Sequence, residues 1–191
     1  MRSSYRYLST VLVFALAATA RAQTLQLGDT ESRVGGIAAV PLTLTADQPI
    51  EGLVAAFGWD GAGLVGSGLE IAPSIASADT IVTRVEDDYA ILGVVVDADG
   101  VGADTIPPGA DILLATAKLR CTERLGTTTL EFEDGKYATT DAGPLLDNLV
   151  VIDGEAVEVA NGLALVSGSV DCAEGLDRFF FRFRESECSG Q

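Results

Sequence analysis

The sequence predicts an all-β protein in which two antiparallel sheets pack face to face as a β-sandwich. Apolar residues recur at a spacing of two in short runs, the runs are interrupted every several residues by Gly, Asp or Pro, and almost nothing reads as helical. Many short strands in a chain of 191 residues fit a sandwich better than a single open sheet.

The first segment is set apart as an export signal. Arg2 and Arg6 precede an apolar run from Leu8 to Ala20, and Ala20 and Ala22 are the small residues a signal peptidase reads. The run is shorter than the roughly 20 residues a membrane-spanning helix needs, so cleavage after Ala22 is predicted. The expected organisation is therefore a signal peptide over 1–22, a sandwich domain over 23–170 and a C-terminal tail over 171–191. The product is expected to be secreted or associated with the cell surface.

Strands are predicted near 25–30, 36–45, 50–59, 64–71, 79–85, 88–97, 112–121, 127–133, 148–152, 155–160 and 162–170. Val40, Leu42 and Leu44 alternate with Pro41, Thr43 and Thr45, and Leu130 and Phe132 alternate with Thr129, Glu131 and Glu133. Each pattern is a strand with one buried and one wet face. Ala90 to Val96 and Leu149 to Ile152 are apolar on both faces, so their outward sides should be covered by a neighbouring element or by a partner. Cys121 falls on the apolar parity of Leu113, Ala115, Ala117 and Leu119 and is expected to be buried. Cys172 and Cys188 flank the tail, and a disulfide between them is the favoured pairing of the three cysteines, one of which stays unpaired in a monomer.

Charge and composition exclude several chemistries. Twelve Lys and Arg stand against 28 Asp and Glu, a formal charge of −16, and histidine is absent. Removing the leader takes Arg2, Arg6 and Arg21 with it, leaving nine cationic residues and a charge of −19. So acidic a surface repels phosphate backbones and anionic membranes. Without imidazole there is no Ser-His-Asp triad, Cys-His pair or HExxH zinc site. No motif singles out a carboxylate pair for glycosidase chemistry, so no catalytic residue is assigned and the protein is expected not to be an enzyme.

Two acidic turns stand out. Asp97, Asp99 and Asp104 lie in a Gly-containing loop before Pro107-Pro108, a spacing at which alternate carboxylates could hold Ca2+, although the terminal glutamate of an EF-hand loop is missing. A solvated loop explains the same residues. Glu86-Asp87-Asp88 reads as a hairpin tip that serves solubility.

The succession of segments resembles the cohesin family. Leu25-Gln26-Leu27-Gly28, followed by Gly35-Gly36 and Val40-Pro41-Leu42-Thr43-Leu44, is similar to its first two strands. Ile50 to Trp59-Asp60, then Leu64, is similar to the stretch in which an aliphatic-aromatic strand ends in aromatic-Asp. Ile91 to Asp97, the loop over 99–108, Leu113 to Leu119 and Thr129 to Phe132 follow in the family's order, so the resemblance covers 24–170. It implies a jelly-roll-like sandwich of about nine strands, no catalysis, and one flat sheet face that binds a dockerin module of another secreted protein. Well-studied cohesins carry polar dockerin contacts on the third strand, where this chain has Ala55 and Ala56. Asp60 matches a family position and is read as capping the turn at Gly61.

The contact face is placed on the strands around Val54 to Gly58 and Ile91 to Asp97, with Val54, Ala56, Leu92, Val94 and Val96 as its expected residues. The alternative is polysaccharide binding. Between Gln23 and Val170 the aromatic residues are Phe57, Trp59, Tyr89, Phe132 and Tyr137, of which only Tyr89 and Tyr137 are expected to be accessible for stacking on sugar rings. The tail holds Phe179-Phe180-Phe181-Arg182-Phe183-Arg184, which contrasts with the acidic body, and lacks the repeated calcium loops of a dockerin.

Overall fold

The computed structural model describes residues 23–98 and 104–174. The predicted leader, Asp99, Cys188 and the Phe/Arg run of the tail lie outside the described residues. The strands in chain order are β1 (Gln23–Leu27), β2 (Thr30–Arg33), β3 (Ile37–Ala46), β4 (Gly52–Trp59), β5 (Leu64–Ile71), β6 (Thr80–Val85) and β7 (Tyr89–Val95). They continue with β8 (Gly109–Cys121), β9 (Gly126–Phe132), β10 (Leu149–Ile152), β11 (Glu155–Glu158), β12 (Leu163–Val166) and β13 (Gly168–Ala173), with a single 3-10 turn over Val159–Asn161.

One sheet runs β12-β1-β3-β8-β5, the other β11-β10-β4-β9-β13-β2, with β7 on the far side of β4 and β6 beyond it. Alternation puts Leu25, Val40, Leu42, Leu44 and Leu119 of the first sheet against Leu53, Phe57, Leu92 and Leu130 of the second, all buried in one core. Pro41 sits inside β3, where a missing N–H would break a ladder. The pairing with β1 ends beside it at Leu27–Leu42, and Gly28 N donates to Pro41 O at 2.9 Å as the chain turns away. A Cβ on Gly28 would stand 2.6 Å from the Pro41 ring, so this exit needs glycine.

The chain crosses between sheets at both of its ends. β1 belongs to the first sheet and β2 to the second; β12 belongs to the first and β13 to the second. The strand expected over 162–170 is thus two strands separated at Ser167, and β13 runs on through Ala173, beyond the expected domain end. Gly168 is the crossing point: its Cβ would lie 2.4 Å from Gly28 O. β1 with β12 and β13 with β2 are parallel pairs, so the sheets are mixed rather than purely antiparallel.

This crossing also corrects the disulfide. Cys172 of β13 is bonded to Cys121 at the end of β8, with Cα atoms 5.8 Å apart, and not to Cys188. Strand parity turns both sulfurs into the core, where each faces the other sheet, and the bond ties the two layers together. Sequence parity located Cys121 in the core but carried no information about which strand lay opposite.

Candidate functional site

Register decides which side chains the second sheet offers to solvent. Ala55 pairs with Leu92 and Leu53 with Val94, so these four point together into the core. Leu92, Val94 and Val96 are 0%, 2% and 8% exposed core residues and are removed from the expected contact face. The outward set on β7 is Ile91, Gly93 and Val95, opposite Val54 and Ala56 of β4, which do lie on the outer face. The sequence, apolar at every position from Ile91 to Val96 except Gly93, could not say which parity faced out.

The outer face is crossed by a strap, residues 133–148, that leaves the sheet after β9 and returns at β10. β10 pairs with β4 only up to Val54 and β9 only from Phe57, which leaves the N–H and C=O of Ala56 without a strand partner. The strap supplies both. Glu133 N donates to Ala56 O at 3.1 Å, and Ala56 N donates to Asn148 Oδ1 at 2.7 Å. Asn148 is fully buried, and its backbone N and its Nδ2 both donate to Asp134 Oδ1, at 2.8 and 2.7 Å. An amide side chain can accept from one strand and donate to a carboxylate at once, which suits Asn to this gap.

A second, small core holds the strap down. Tyr137 packs on Ala56, Ile91 and Leu146 and stacks on Tyr89 with ring centroids 4.3 Å apart. Its hydroxyl donates to the Glu133 carboxylate, and Lys136 Nζ donates to the same carboxylate at 2.7 Å. Burial pushes the Tyr137 phenol up to about 12, and the hydrogen bond to Glu133 adds to that. At Glu133 burial acts upward, but the hydrogen bonds from Lys136 and Tyr137 outweigh it and hold the carboxyl below its usual range. Gly58 beneath is required: a Cβ there would lie 2.0 Å from the Tyr137 hydroxyl. From β6, Arg84 donates to Ala138 O at 3.1 Å and Asp141 Oδ1 at 2.6 Å while its guanidinium lies over the Tyr89 ring. The strap covers the part of the doubly apolar face around Ala56 and Ile91.

Beside the strap the face stays open. An apolar depression of about 330 Å3 is floored by Val54, Val82, Gly93 and Val95 and walled by Leu146 and Val151, with Glu51 and Asp97 at its margin. Val82 and Val95 are 40% and 43% exposed. A second depression, of about 350 Å3, lies over Gly58 and β9 and is polar; its cations Arg124 and Lys136 are already paired with Asp60 and Glu133.

The other expected sites fall as follows. Asp97 borders the apolar depression and Asp104 is exposed, while Asp99 lies outside the described residues. Among the described residues no group of three carboxylates or cysteines is arranged to hold a metal. Asp60 accepts from Ala62 N at 2.9 Å, which lowers its carboxyl below the usual range and forms the turn cap expected of it. Glu86-Asp87-Asp88 is the β6–β7 hairpin tip, and Trp59 Nε1 donates to Asp87 O at 3.0 Å. Tyr89 and Tyr137, expected to be accessible, are stacked on each other. Phe57 and Trp59 are buried and Phe132 packs on the core, so no ring among the described residues forms an exposed sugar platform.

No protein-family model matches the sequence, and no curated protein does. Solved structures do match by fold. The third cohesin of ScaC from Acetivibrio cellulolyticus, solved with the ScaB dockerin, superposes with a TM-score of 0.61 at 15% identity over 79% of this chain and 99% of that one. The seventh ScaB type I cohesin from Pseudobacteroides cellulosolvens gives 0.61 at 16% identity over 81% and 94%. A non-cellulosomal cohesin from the hyperthermophilic archaeon Archaeoglobus fulgidus gives 0.54 at 17% identity over 80% and 92%. The chain therefore has the β-sandwich fold of these cohesins, and at these identities the likeness is one of fold alone.

Proposed function

We propose that this is an exported, non-catalytic module that holds another protein on the outer face of its second sheet. The observation that carries the reading is the apolar depression beside the strap, where Val82 and Val95 stand exposed on an otherwise acidic surface. Isolated exposed aliphatics are ordinary, but a contiguous apolar patch rimmed by carboxylates is the usual composition of a contact site. The leader 1–22 is removed in this reading, the sandwich is the binding domain, and the residues after β13 form the tail. The third cohesin of ScaC was solved with a dockerin, and a dockerin-bearing secreted protein is accordingly the partner we infer, with any calcium carried by that partner.

The test is capture from culture supernatant by the immobilised domain, with and without chelator. Val82→Asp and Val95→Asp introduce charge at already exposed positions, so the domain stays folded and capture is expected to fall at least about tenfold, as for loss of a central contact. Undiminished capture by both folded variants would refute this face. Retention on insoluble polysaccharide instead would replace the protein partner by a sugar.

A further inference from the structure

Gln23 occupies an unusual position, being the first residue of β1 and the residue that follows the predicted cleavage site. It is fully buried and pairs with Leu163 of β12. Its Nε2 donates to the Asp47 carboxylate, while its Oε1 has no hydrogen-bond partner. Beside it lies a cavity of about 370 Å3 lined by Ile152, Ala156, Val157 and Gly162, with Glu155 and Asn161 at its polar side. In the uncut chain the backbone nitrogen of Gln23 is a neutral amide. Cleavage after Ala22 turns it into an α-ammonium at a buried residue, and charge there is costly unless a partner is provided. Asp47 is already engaged by the side chain of Gln23 itself.

We infer that the exported chain carries Gln23 as pyroglutamate, a lactam formed between its own ends; this rests on the proposed removal of the leader. The α-amine attacks Cδ of the side-chain amide, the new C–N bond closes a five-membered ring, and the bond from Cδ to Nε2 breaks. The departing nitrogen takes the displaced proton and leaves as ammonium, so no oxidant or reductant is needed. A charged end becomes a neutral one that still offers a carbonyl oxygen and an N–H, and the adjoining cavity provides room for the ring. The reaction belongs to the chain before β1 docks, because in the folded sandwich the amide is held on Asp47 away from attack. Docking then seals the ring.

Intact mass measured without digestion on protein purified from the secreting cell tests this. The expected mass is that of residues 23–191, corrected for the Cys121–Cys172 bond and lighter by one ammonia. The native protein is expected to resist pyroglutamyl aminopeptidase and to yield its first residue only after reduction and unfolding. A mass that fits an unmodified Gln23 start with a free amine overturns the lactam and leaves the export reading standing. A chain that begins at another residue overturns both. Cyclising the denatured 23–191 chain with glutaminyl cyclase before refolding is expected to raise its Tm by about 2–4 °C over the free-amine form; equal melting temperatures overturn the argument from buried charge.

Discussion

Replacing Asn148 by alanine removes the only contact that satisfies the Ala56 amide in the gap between β10 and β9. The N–H of Ala56 is buried and would lose a 2.7 Å bond, and Asp134 would lose one of the two donors it holds from Asn148. A buried donor left without a partner costs about 1–3 kcal/mol, because its desolvation is no longer offset. For a chain of this size each kcal/mol lowers Tm by roughly 2–4 °C, so a fall of about 2–12 °C is expected. Urea unfolding followed by the single tryptophan, Trp59, should show a lower midpoint at unchanged slope, the signature of lost stability rather than altered compactness. Asn148→Asp sharpens the test. It keeps the acceptor for Ala56 but turns a carboxylate oxygen toward Asp134 in place of an amide donor. Two neighbouring carboxylates raise each other's pKa, so this variant should be least stable relative to wild type above the carboxylate range and recover as pH falls through the raised values. An Asn148→Ala protein with a wild-type midpoint, or an Asn148→Asp protein whose deficit ignores pH, would refute the account of the gap.

Three further outcomes are expected. Cys121→Ser should lose about 4 kcal/mol on the chain-entropy model for its sequence separation of 51, read as a lower urea midpoint, while Cys188→Ser leaves the midpoint unchanged; the reverse result would restore the pairing with Cys188. Gly58→Ala puts a methyl group 2.0 Å from the Tyr137 hydroxyl and should cost about 1–3 kcal/mol through overpacking, with loss of the Tyr89–Tyr137 near-ultraviolet dichroism; an intact signal would show that the strap is not seated there. Tyr137 has a folded pKa of about 12 against an ordinary value near 10, so the stability it contributes is fully present below pH 10 and is lost as pH climbs from about 10 to 12. Alkaline denaturation should therefore become shallower in that window in Tyr137→Phe, and an unchanged profile would dismiss the strap phenol as its cause.

Much of the sandwich could be read from periodicity, because a strand with one wet face records its own parity. β3 and β9 fall within a residue of their expected limits, and β5 matches its range outright. What failed was information that no single strand carries. Ile91 to Val96 is apolar at every position except Gly93, so its parity followed from pairing with Ala55; three of the five expected face residues proved to lie in the main core, and Ala56 is buried beneath the strap. The crossing at Ser167 is invisible because both halves of 162–170 alternate correctly, each toward a different sheet. The strap went unread since it has almost no regular structure; its anchors are one buried Asn and one Tyr, residue types equally at home in an ordinary loop. Gly58 offered the one local hint, a glycine set between Phe57 and Trp59 inside a strand.

The two parallel ladders unite the first pair of strands with the last pair. Each layer therefore lacks an edge partner until the polypeptide is complete to about Ala173, and the Cys121–Cys172 link cannot form earlier either. The two outer ladders and the link between the layers must wait for residues 163–173 during N-to-C synthesis, although the ladders from β1 to β9 need nothing beyond Phe132. A version lacking β12 and β13 should leave the backbone of Gln23–Gln26 and the β9 edge unpaired and associate through them instead of remaining a smaller stable domain.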